Sequence, residues 1–409
     1  EQLKQVLLEH NKKKEIVEYI PRELQNELDS HAKTPFVVIV SGVRRSGKST
    51  ILAHLRENID SYYVNFDDER LIDFTVNDFA IMDELLQELF GEKDTYIFDE
   101  IQNIASWERF VRRLHDEKKK VYVTGSNASM LSRELGTHLT GRHVSLTLFP
   151  FSFREFCKFK EEEYDLKRLT TSKKAKLKRL FTLYMQEGGF PEYLHTQKKD
   201  YLKALYDNIL YRDIITRYNI PKEKPLKLAA TYAASNVGKE LSFNQVKKLT
   251  GLTSATTVKE YFSYLENSYL CFLISRYNPS LKKQIYYAKK VYFIDTALTQ
   301  ILGFRESDDY GRMLENVVFL DLLRKGEEIY FHKQKQECDF VIRKGMKIIK
   351  VVQVTKKLGK NRDREVKGLL EAMKRYKIKE GLILTEDQKE TFTIDHKKIV
   401  VMPVWEWLL

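Results

Sequence analysis

The chain has 409 residues, of which 43% are hydrophobic and 12% aromatic, so it can bury sizeable cores and is expected to form about two to four domains. Its apolar runs are short, and because none approaches the roughly 20 residues that span a bilayer, the pattern excludes a transmembrane helix. The net charge of +12 favours a polyanionic partner such as nucleic acid, although a composition rich in Lys and Glu is also typical of thermophile surfaces.

Cysteine usage and the first residues indicate the compartment. Cys157, Cys271 and Cys338 are odd in number and far apart, without zinc-ligand spacing, so a disulfide framework is not expected. Residues 1–4 do not resemble a secretory signal, and they lack an initiator Met. These features predict a cytoplasmic protein.

A glycine-rich stretch follows an apolar run near the start of the chain. Residues 36–40 predict a buried parallel strand, and residues 51–55 predict the first turns of a helix. The segment between them fits G-x-x-x-x-G-K-[ST] at every required position, with the residues Gly42, Val43, Arg44, Arg45, Ser46, Gly47, Lys48, Ser49 and Thr50. The backbone N–H groups of such a loop surround phosphates, Lys48 is expected to reach the β- and γ-phosphates, and Ser49 to ligate Mg²⁺. The alternative is a turn without a ligand.

Two carboxylates end a later apolar strand. Residues 62–66 predict a strand, residues 79–90 a helix, and residues 95–100 a strand that ends in Asp99 and Glu100. Asp99 is expected to hold Mg²⁺ opposite Ser49, and Glu100 to polarise the attacking water as general base. Because an apolar run followed by Asp-Glu is common, this prediction depends on the glycine loop upstream.

Several motifs then resemble one family. They are FDEIQ at 98–102, WE at 107–108, TGSN at 124–127, LTGR at 139–142, LFPFSFREF at 148–156, GGFPEY at 188–193 and LYRDI at 210–214. As a set they resemble the prokaryotic AAA+ ATPases that carry a C-terminal DUF4143-type region, over nearly the whole chain. The resemblance implies a parallel-sheet P-loop core with ATP and Mg²⁺ as ligands.

The resemblance also implies roles for polar residues at two further predicted strands. Asn127, with Ser126 as second choice, follows the strand at 120–124 and takes the place of the sensor that reads the γ-phosphate or orients the water. Arg142, with Arg133 as second choice, precedes the predicted strand at 144–148 and takes the place of an arginine finger that acts on a neighbour's nucleotide, which predicts a homo-oligomer. The alternatives are a turn or N-cap for Asn127 and an ordinary surface arginine for Arg142.

The middle of the chain is predicted to be largely helical. Residues 151–225, with one break predicted at the Gly-Gly-Phe-Pro sequence of 188–191, match the helical lid that follows an AAA+ core. A winged helix-turn-helix is predicted after it, with helices at 228–235, 241–251 and 254–265 and a wing at 269–277. In the DNA-binding interpretation the residues that face the major groove are Thr253, Ser254, Thr256, Thr257 and Lys259. Because only Lys259 is basic, a module for protein contacts or a spacer is the alternative.

The C-terminal segment resembles a PD-(D/E)XK nuclease fold in its order of a helix with a glutamate, a strand with an aspartate, a hairpin at Lys344-Gly345 and a strand in the place of acid-x-Lys. A helix at 363–376 and a strand at 381–385 are predicted to follow. In that fold carboxylates hold Mg²⁺ and a lysine stabilises the attacking hydroxide or the phosphate charge. Glu315 and Asp339 match the carboxylates, and Gln353 replaces the next acid but keeps an oxygen ligand, so these three form a candidate second metal site. Thr355 stands where the lysine belongs, and Lys356 beside it points to the other face of the strand.

These losses favour a degenerate nuclease fold that grips DNA or mediates assembly over an active nuclease. A cluster of basic residues could contact phosphates, and it consists of Arg343, Lys344, Lys347, Lys350, Lys356, Lys357, Lys360, Arg362 and Arg364. A solvated basic face without a partner is the alternative.

The sequence therefore predicts an α/β protein with a P-loop AAA+ core, a helical lid, a winged-helix domain and a C-terminal PD-(D/E)XK nuclease-like α/β domain. The predicted parts are an N-terminal helical segment (1–34), the AAA+ core (35–150), the lid (151–225), the winged helix (226–290) and the nuclease-like domain (291–409). The predicted function is a Mg²⁺-dependent ATPase that acts on DNA as a remodelling or repair-type motor, without a membrane partner. The alternatives are a nucleotide-gated regulatory switch and an ATP-dependent nuclease.

Overall fold

The computed structural model describes residues 1–12, 19–127, 141–303 and 310–409. The chain divides into two compact units. The first consists of residues 1–150 and 267–269, and the second of residues 151–266 and 270–409.

The first unit contains a sheet of five parallel strands in the order β2-β3-β4-β1-β5. The strands are β1 (Val37–Ser41), β2 (Tyr62–Asn65), β3 (Thr95–Asp99), β4 (Lys120–Gly125) and β5 (His143–Thr147). The helices are α1 (Gln2–Asn11), α2 (Gln25–Ser30), α3 (Lys48–Asn58), α4 (Phe79–Phe90) and α5 (Trp107–Asp116). The predicted α/β core with a parallel sheet is confirmed.

Helices cover both faces of this sheet because its strands are apolar on both faces. Side chains of α4 and α5, such as Phe79 and Phe110, pack with Phe98 on one face. Side chains of α3, such as Ile51, pack with Val38 on the other. The carboxyl ends of the parallel strands consequently lie at one open edge, where ligands bind in folds of this class.

The second unit begins with helices, as predicted for residues 151–225. They are α6 (Phe153–Phe159), α7 (Thr171–Glu187), α8 (Pro191–Thr196), α9 (Lys199–Asn208) and α10 (Glu223–Ser235). Between α9 and α10, a π-helix spans Ile209–Thr216. The break predicted at the Gly-Gly-Phe-Pro sequence separates α7 from α8, and the backbone N–H of Gly189 there donates to Asp295 Oδ2 at 2.7 Å.

A small antiparallel sheet follows, with the strand order β6-β8-β7. Its strands are β6 (Glu240–Leu241), β7 (Cys271–Ser275) and β8 (Lys289–Phe293), and the helices around it are α11 (Phe243–Thr250), α12 (Ala255–Asn267), α13 (Leu281–Tyr286) and α14 (Thr296–Leu302). The predicted helix at 241–251 begins two residues late because Leu241 pairs with Lys289 in the sheet. β8 runs across position 290, where the sequence placed a domain boundary.

The C-terminal sheet has six strands in the order β13-β14-β12-β11-β10-β9. Its elements are α15 (Tyr310–Arg324), β9 (Glu328–Lys333), β10 (Glu337–Lys344), β11 (Lys347–Val354), α16 (Arg362–Tyr376), β12 (Glu380–Thr385), β13 (Glu390–Ile394), β14 (Lys397–Pro403) and α17 (Val404–Leu408). The hairpin predicted at Lys344-Gly345 joins β10 to β11. The helix, the strand, the hairpin, the second helix and the next strand follow in the predicted order, and β11 and β12 pair in parallel.

Candidate nucleotide site and C-terminal acidic cluster

The glycine loop leaves β1 and enters α3 at the carboxyl edge of the first sheet. Gly42 has φ 148°, and a Cβ atom there would lie 2.2 Å from the carbonyl oxygen of Leu148, so only glycine fits. Gly47 precedes α3, which begins at Lys48. The N-terminal N–H groups of α3 therefore border the loop and give it partial positive charge.

Lys48 is 5% exposed and lies inside this loop. Its ammonium donates to the carbonyl oxygens of Gly42 (3.1 Å) and Val43 (3.2 Å), and it lies 3.7 Å from Glu100 Oε1. Its partners are thus neutral carbonyls and one distant carboxylate.

Arg22 supports the loop from outside, a contact that no sequence pattern predicted. Its guanidinium donates to the carbonyl oxygens of Ser46 (2.8 Å) and Phe149. The two acceptors are 103 positions apart in sequence numbering, so the contact fixes the far end of the glycine loop against the segment that follows β5.

Asp99 is the last residue of β3 and is buried. Burial, and secondarily the charge of Glu100, raises the pKa of its carboxyl. Hydrogen bonds from the hydroxyls of Ser49, Thr124 and Tyr63 oppose this rise because they stabilise the ionised form. The Ser49 hydroxyl and the Asp99 carboxylate, hydrogen-bonded to each other, are the oxygen pair that suits Mg²⁺ at a glycine loop.

Glu100 has a left-handed backbone with φ 51°, which is uncommon for a residue with a side chain and clusters at functional sites. Its backbone N–H donates to Thr124 Oγ1 at 3.0 Å, and its carboxylate accepts from Gln102. Thr124 thus contacts both acidic residues. The sequence prediction missed this threonine because the pairing of β3 with β4 brings it there.

Ser126 and Asn127 follow β4 and are buried. β4 neighbours β1, and Gly125 pairs with Ser41, so this tip lies beside the start of the glycine loop. The structure therefore brings the predicted sensor residues to the nucleotide edge. Arg133 lies outside the described residues, so only Arg142 can be located.

Arg142 lies at the other end of the strands, at the amino edge of the sheet. It precedes β5, whose residue His143 pairs with Val37 at the amino end of β1, one strand length or roughly 15 Å from the glycine loop. Its side chain is 48% exposed and bonds Asp116 Oδ1 at 2.9 Å. A role at the nucleotide of its own subunit is incompatible with this placement, whereas a role on a neighbouring copy is compatible with it.

The predicted second metal residues come together in the second unit, but around a lysine. The buried ammonium of Lys290 lies 3.0 Å from Glu315 Oε1, 2.9 Å from Asp339 Oδ1 and 2.7 Å from Glu337 Oε1. Lys290 comes from β8 and had no predicted role. We call these four residues the acidic cluster.

Gln353 lies next to the acidic cluster, and both ends of its amide are used inside the protein. Its Oε1 accepts from the backbone N–H of Asp339 at 3.2 Å, and its Nε2 donates to Glu365 Oε2 at 2.7 Å. At the position expected for the nuclease lysine, Thr355 accepts a hydrogen bond from Asn361. Lys356 lies over the ring of Tyr310. The structure therefore gives no support to the candidate second metal site.

Family profiles and related sequences identify the family of this chain. Family profiles match an "AAA domain" at residues 34–157, a "Domain of unknown function (DUF8612)" at 178–308 and a "Domain of unknown function (DUF4143)" at 310–407. The protein MJ1544 of Methanocaldococcus jannaschii is 34% identical over 400 residues, covering 91% of this chain and 88% of that protein. The chain belongs to the prokaryotic AAA-domain ATPases with a C-terminal DUF4143 domain.

Two further proteins are similar to this family member. A protein of Haemophilus influenzae is 30% identical over 394 residues, covering 92% of this chain and 95% of that protein. Among solved structures, "The walker-type atpase paby2304 of pyrococcus abyssi" is 14% identical with a TM-score of 0.45, covering 69% of this chain and 96% of that one.

The predicted basic cluster of the DUF4143 domain is only partly available to a ligand. Three of its arginines form ion pairs within the domain: Arg343 with Glu328, Arg362 with Glu390, and Arg364 with Glu365. Lys350 is partly buried, which lowers its pKa, and its ammonium lies over the ring of Trp407. The exposed lysines that could contact phosphates are Lys344, Lys347, Lys357 and Lys360.

The residues predicted to face DNA lie at the start of α12. Thr253, Thr256 and Lys259 are exposed. Ser254 instead accepts a hydrogen bond from the backbone N–H of Thr256 at 3.0 Å, as an N-cap does.

No helix within the described ranges is long and apolar enough to cross a membrane.

Proposed function

We propose that the chain is a Mg²⁺-dependent ATPase that uses ATP binding and hydrolysis to act on DNA. The observation that carries the ATPase part is the convergence of Lys48, Ser49, Asp99 and Glu100 at one sheet edge. Each residue type suits a different step of phosphoryl transfer to water.

In this proposal the glycine loop and Lys48 hold the phosphates of ATP. Ser49 and Asp99 hold Mg²⁺, which when bound neutralises charge on the β- and γ-phosphates. Glu100 takes a proton from the attacking water, and Thr124 fixes Glu100 through its backbone N–H. Asn127 contacts the γ-phosphate or the water.

Arg142 completes the site of a neighbouring copy, so turnover requires an oligomer. The placement of Arg142 at the edge opposite its own glycine loop supports this step. Its present partner, Asp116, is about half exposed, and an ion pair of this kind contributes little stability, so Arg142 can exchange it for a phosphate.

The DNA part of the proposal is supported by the elements between α10 and β8. Three helices and a three-stranded antiparallel sheet in the order β6-β8-β7 are the parts of a winged helix, and here β7 and β8 are joined through α13. In this proposal α12 presents Thr253, Thr256 and Lys259 to the major groove, and the net charge of +12 adds sequence-independent attraction.

A nucleotide-gated regulatory switch is the second candidate. It is favoured by the single basic side chain among the residues predicted to face DNA on α12, and by the arginines of the DUF4143 domain that are already in ion pairs. In this candidate the nucleotide state sets assembly, and the winged helix contacts protein.

The ATPase rate with no DNA and with single-stranded, duplex or branched DNA distinguishes the two candidates. We expect at least one DNA form to raise the rate, and we expect Lys259→Glu to reduce that increase without changing the rate in the absence of DNA. Turnover that no DNA form alters would support the switch, and absence of any ATP turnover by the oligomer would contradict both.

A further inference from the structure

The acidic cluster has the composition of a metal site with its cation already supplied by the chain. Three carboxylates from two elements, α15 and β10, point to one position and approach the ammonium of Lys290 within 3.0 Å. The Lys290 side chain is 2% exposed. Oxygen ligands from carboxylates are what a hard divalent cation also requires, at distances of about 2.0–2.6 Å.

The surrounding contacts keep Lys290 in this position. Tyr292, two residues further along β8, donates to Glu315 Oε1 at 2.6 Å. The side chain of Asn316 accepts from the backbone N–H of Phe293 at 2.8 Å and donates to its carbonyl at 3.0 Å. Glu315 and Asn316 therefore bind consecutive parts of β8, which explains the paired polar residues within the apolar stretch 313–320 of α15.

Room for the Glu315 carboxylate is made by a glycine. Gly238 has φ 72°, and a Cβ atom there would lie 3.0 Å from Glu315 Oε2. The Gly238 N–H in turn donates to the carbonyl of Val291 on β8 at 2.9 Å. The backbone at Gly238 thus borders the Glu315 carboxylate, and a side chain at position 238 would crowd it.

The charges of the cluster agree with a built-in cation. Burial opposes the charge on Lys290, but the carboxylates of Asp339 and Glu315 outweigh burial, so its pKa is raised well above the ordinary value. A buried ion pair is stabilising only when each charge has hydrogen-bonded partners, and the second oxygen of Asp339 accepts from the backbone N–H of Val354 at 2.9 Å. Within the described residues, no group of His, Cys, Asp and Glu side chains is suited to hold a metal ion.

We infer that Lys290 takes the place of the divalent cation in this nuclease-like site, so that the DUF4143 domain is metal-independent and does not cleave DNA. The cluster instead attaches β8 to α15 and β10. This inference deepens the proposed function, since it assigns the domain to contact rather than to cleavage. The claim that Lys290 takes the place of a divalent cation rests on the geometry and does not depend on DNA binding.

The inference predicts that removal of Lys290 converts the cluster into a metal site. Lys290→Ala leaves the carboxylates of Glu315, Asp339 and Glu337, the first two of which are buried, without their shared ammonium, so we expect it to be strongly destabilised in EDTA and restored by Mn²⁺. At saturating Mn²⁺ its melting temperature is expected to rise on the order of 5 °C or more, because a ligand that binds only the folded state stabilises it. The nucleotide-free wild-type chain, measured in parallel, is expected to shift far less.

Two variants serve as controls for Lys290→Ala. Lys290→Ala with Asp339→Asn removes one ligand and is expected to lose the response to Mn²⁺. Lys333→Ala removes a neighbouring lysine that also contacts Glu337, at 3.6 Å, but is 42% exposed, and it is expected to behave like the wild type. Because these controls keep the Ser49–Asp99 site, any Mn²⁺ bound there is common to all.

Direct Mn²⁺ binding, followed by electron paramagnetic resonance of the nucleotide-free chains, decides the inference even if Lys290→Ala folds poorly. Mn²⁺ bound by the wild type and lost in Asp339→Asn would overturn it, as would Mg²⁺- or Mn²⁺-dependent DNA cleavage that Asp339→Asn abolishes. A folded Lys290→Ala that gains neither Mn²⁺ binding nor thermal stabilisation would also overturn it. The ATPase response to DNA is measured separately. If it is unchanged, the inference about Lys290 can fail while the proposed function stands.

Discussion

Two buried lysines, Lys48 and Lys290, differ in the charge of the groups that they contact. Lys48 contacts two neutral carbonyls and has one carboxylate 3.7 Å away, whereas Lys290 has three carboxylates within 3.0 Å. A phosphate can replace the carbonyl partners of Lys48 with a gain in charge attraction, but it would have to displace three anions from Lys290. The number of acidic partners therefore separates a lysine that can bind a substrate from one that fixes the fold.

The strongest test of this comparison is Lys48→Ala. If Lys48 is the phosphate-binding lysine, the variant should lose ATP binding and show no measurable turnover, because the loop N–H groups alone lack the point charge. Binding of a fluorescent ATP analogue and phosphate release measure the two effects. The exposed Lys33→Ala is the matched control and should keep both. Normal turnover by Lys48→Ala would remove the distinction between the two lysines.

Glu100→Gln should lower kcat while ATP still binds. The amide keeps the shape of the side chain but cannot take a proton, and loss of a general base typically costs about 10²–10⁴-fold. Single-turnover hydrolysis together with nucleotide affinity separates the two effects. Gln102→Ala, which removes a hydrogen bond to this carboxylate, should have a smaller effect on kcat. Wild-type kcat in Glu100→Gln would assign the base to another residue.

The nucleotide site, unlike the acidic cluster, is expected to need a second copy of the chain. Arg142→Ala should reduce turnover, with losses for an arginine finger reaching about 10³-fold, and leave ATP affinity nearly unchanged. Mixing Arg142→Ala with Lys48→Ala should partly restore activity, since the second variant supplies a finger to an intact glycine loop in the first. Failure of every mixture to exceed the separate variants would exclude action in trans.

Thr124→Val tests the electrostatics of the nucleotide site. The Thr124 hydrogen bond lowers the pKa of Asp99, so its removal should raise that pKa further. The carboxylate that holds Mg²⁺ would then be protonated at higher pH, and the acidic limb of the kcat/KM profile should move to higher pH. Tyr63→Phe, which removes another hydrogen bond to Asp99 but leaves Glu100 untouched, should move the limb in the same direction. A limb that moves to lower pH would contradict the assignment.

The smallest effect concerns stability of the acidic cluster. Burial raises the pKa of Glu315 from its ordinary 4.5 to about 7. Between these values the folded chain binds the proton more tightly than the unfolded chain, so this contribution is present below about pH 4.5 and lost as pH rises through about 7. Glu315→Gln should therefore flatten the decline of melting temperature over this range.

Glu337→Gln is the matched comparison for Glu315→Gln, because the pKa of Glu337 is shifted in the opposite direction. Burial favours a higher pKa for Glu337, but the charge of Lys290 outweighs it and the pKa is lowered. Its contribution to stability is present above its ordinary pKa and lost as pH falls through the lowered value. Glu337→Gln should therefore reduce acid sensitivity, and equal effects of the two variants would contradict the assigned charges.

Local patterns predicted most of the first unit. Apolar runs located all five parallel strands, and the glycine loop with Asp99-Glu100 located the nucleotide edge. Thr124 and Arg22 were missed because their roles arise from strand pairing and from a contact across more than a hundred positions. The left-handed backbone of Glu100 has no sequence signal, since glycine and asparagine are the residues that normally indicate one.

The second unit shows where local patterns fail. Glu315 and Asp339 were identified as a pair, but Lys290 lies 25 and 49 positions before them and belongs to a strand that the sequence placed at a domain boundary. A basic residue in an apolar strand gives no indication of its partner. The last three elements, β13, β14 and α17, were also not predicted, although β13 alternates between polar and apolar residues and β14 contains an apolar run at 399–402.

The position of Lys290 on β8 has a consequence for truncated fragments of this protein. The DUF4143 profile begins at residue 310, after β8, so a fragment expressed from there would keep Glu315, Glu337 and Asp339 but lack their ammonium. Such a fragment would have to bury uncompensated carboxylates or leave its acidic end open. We therefore expect the smallest autonomous folding unit at this end of the chain to start upstream of β8, so that the boundary of the family profile is not a boundary of folding.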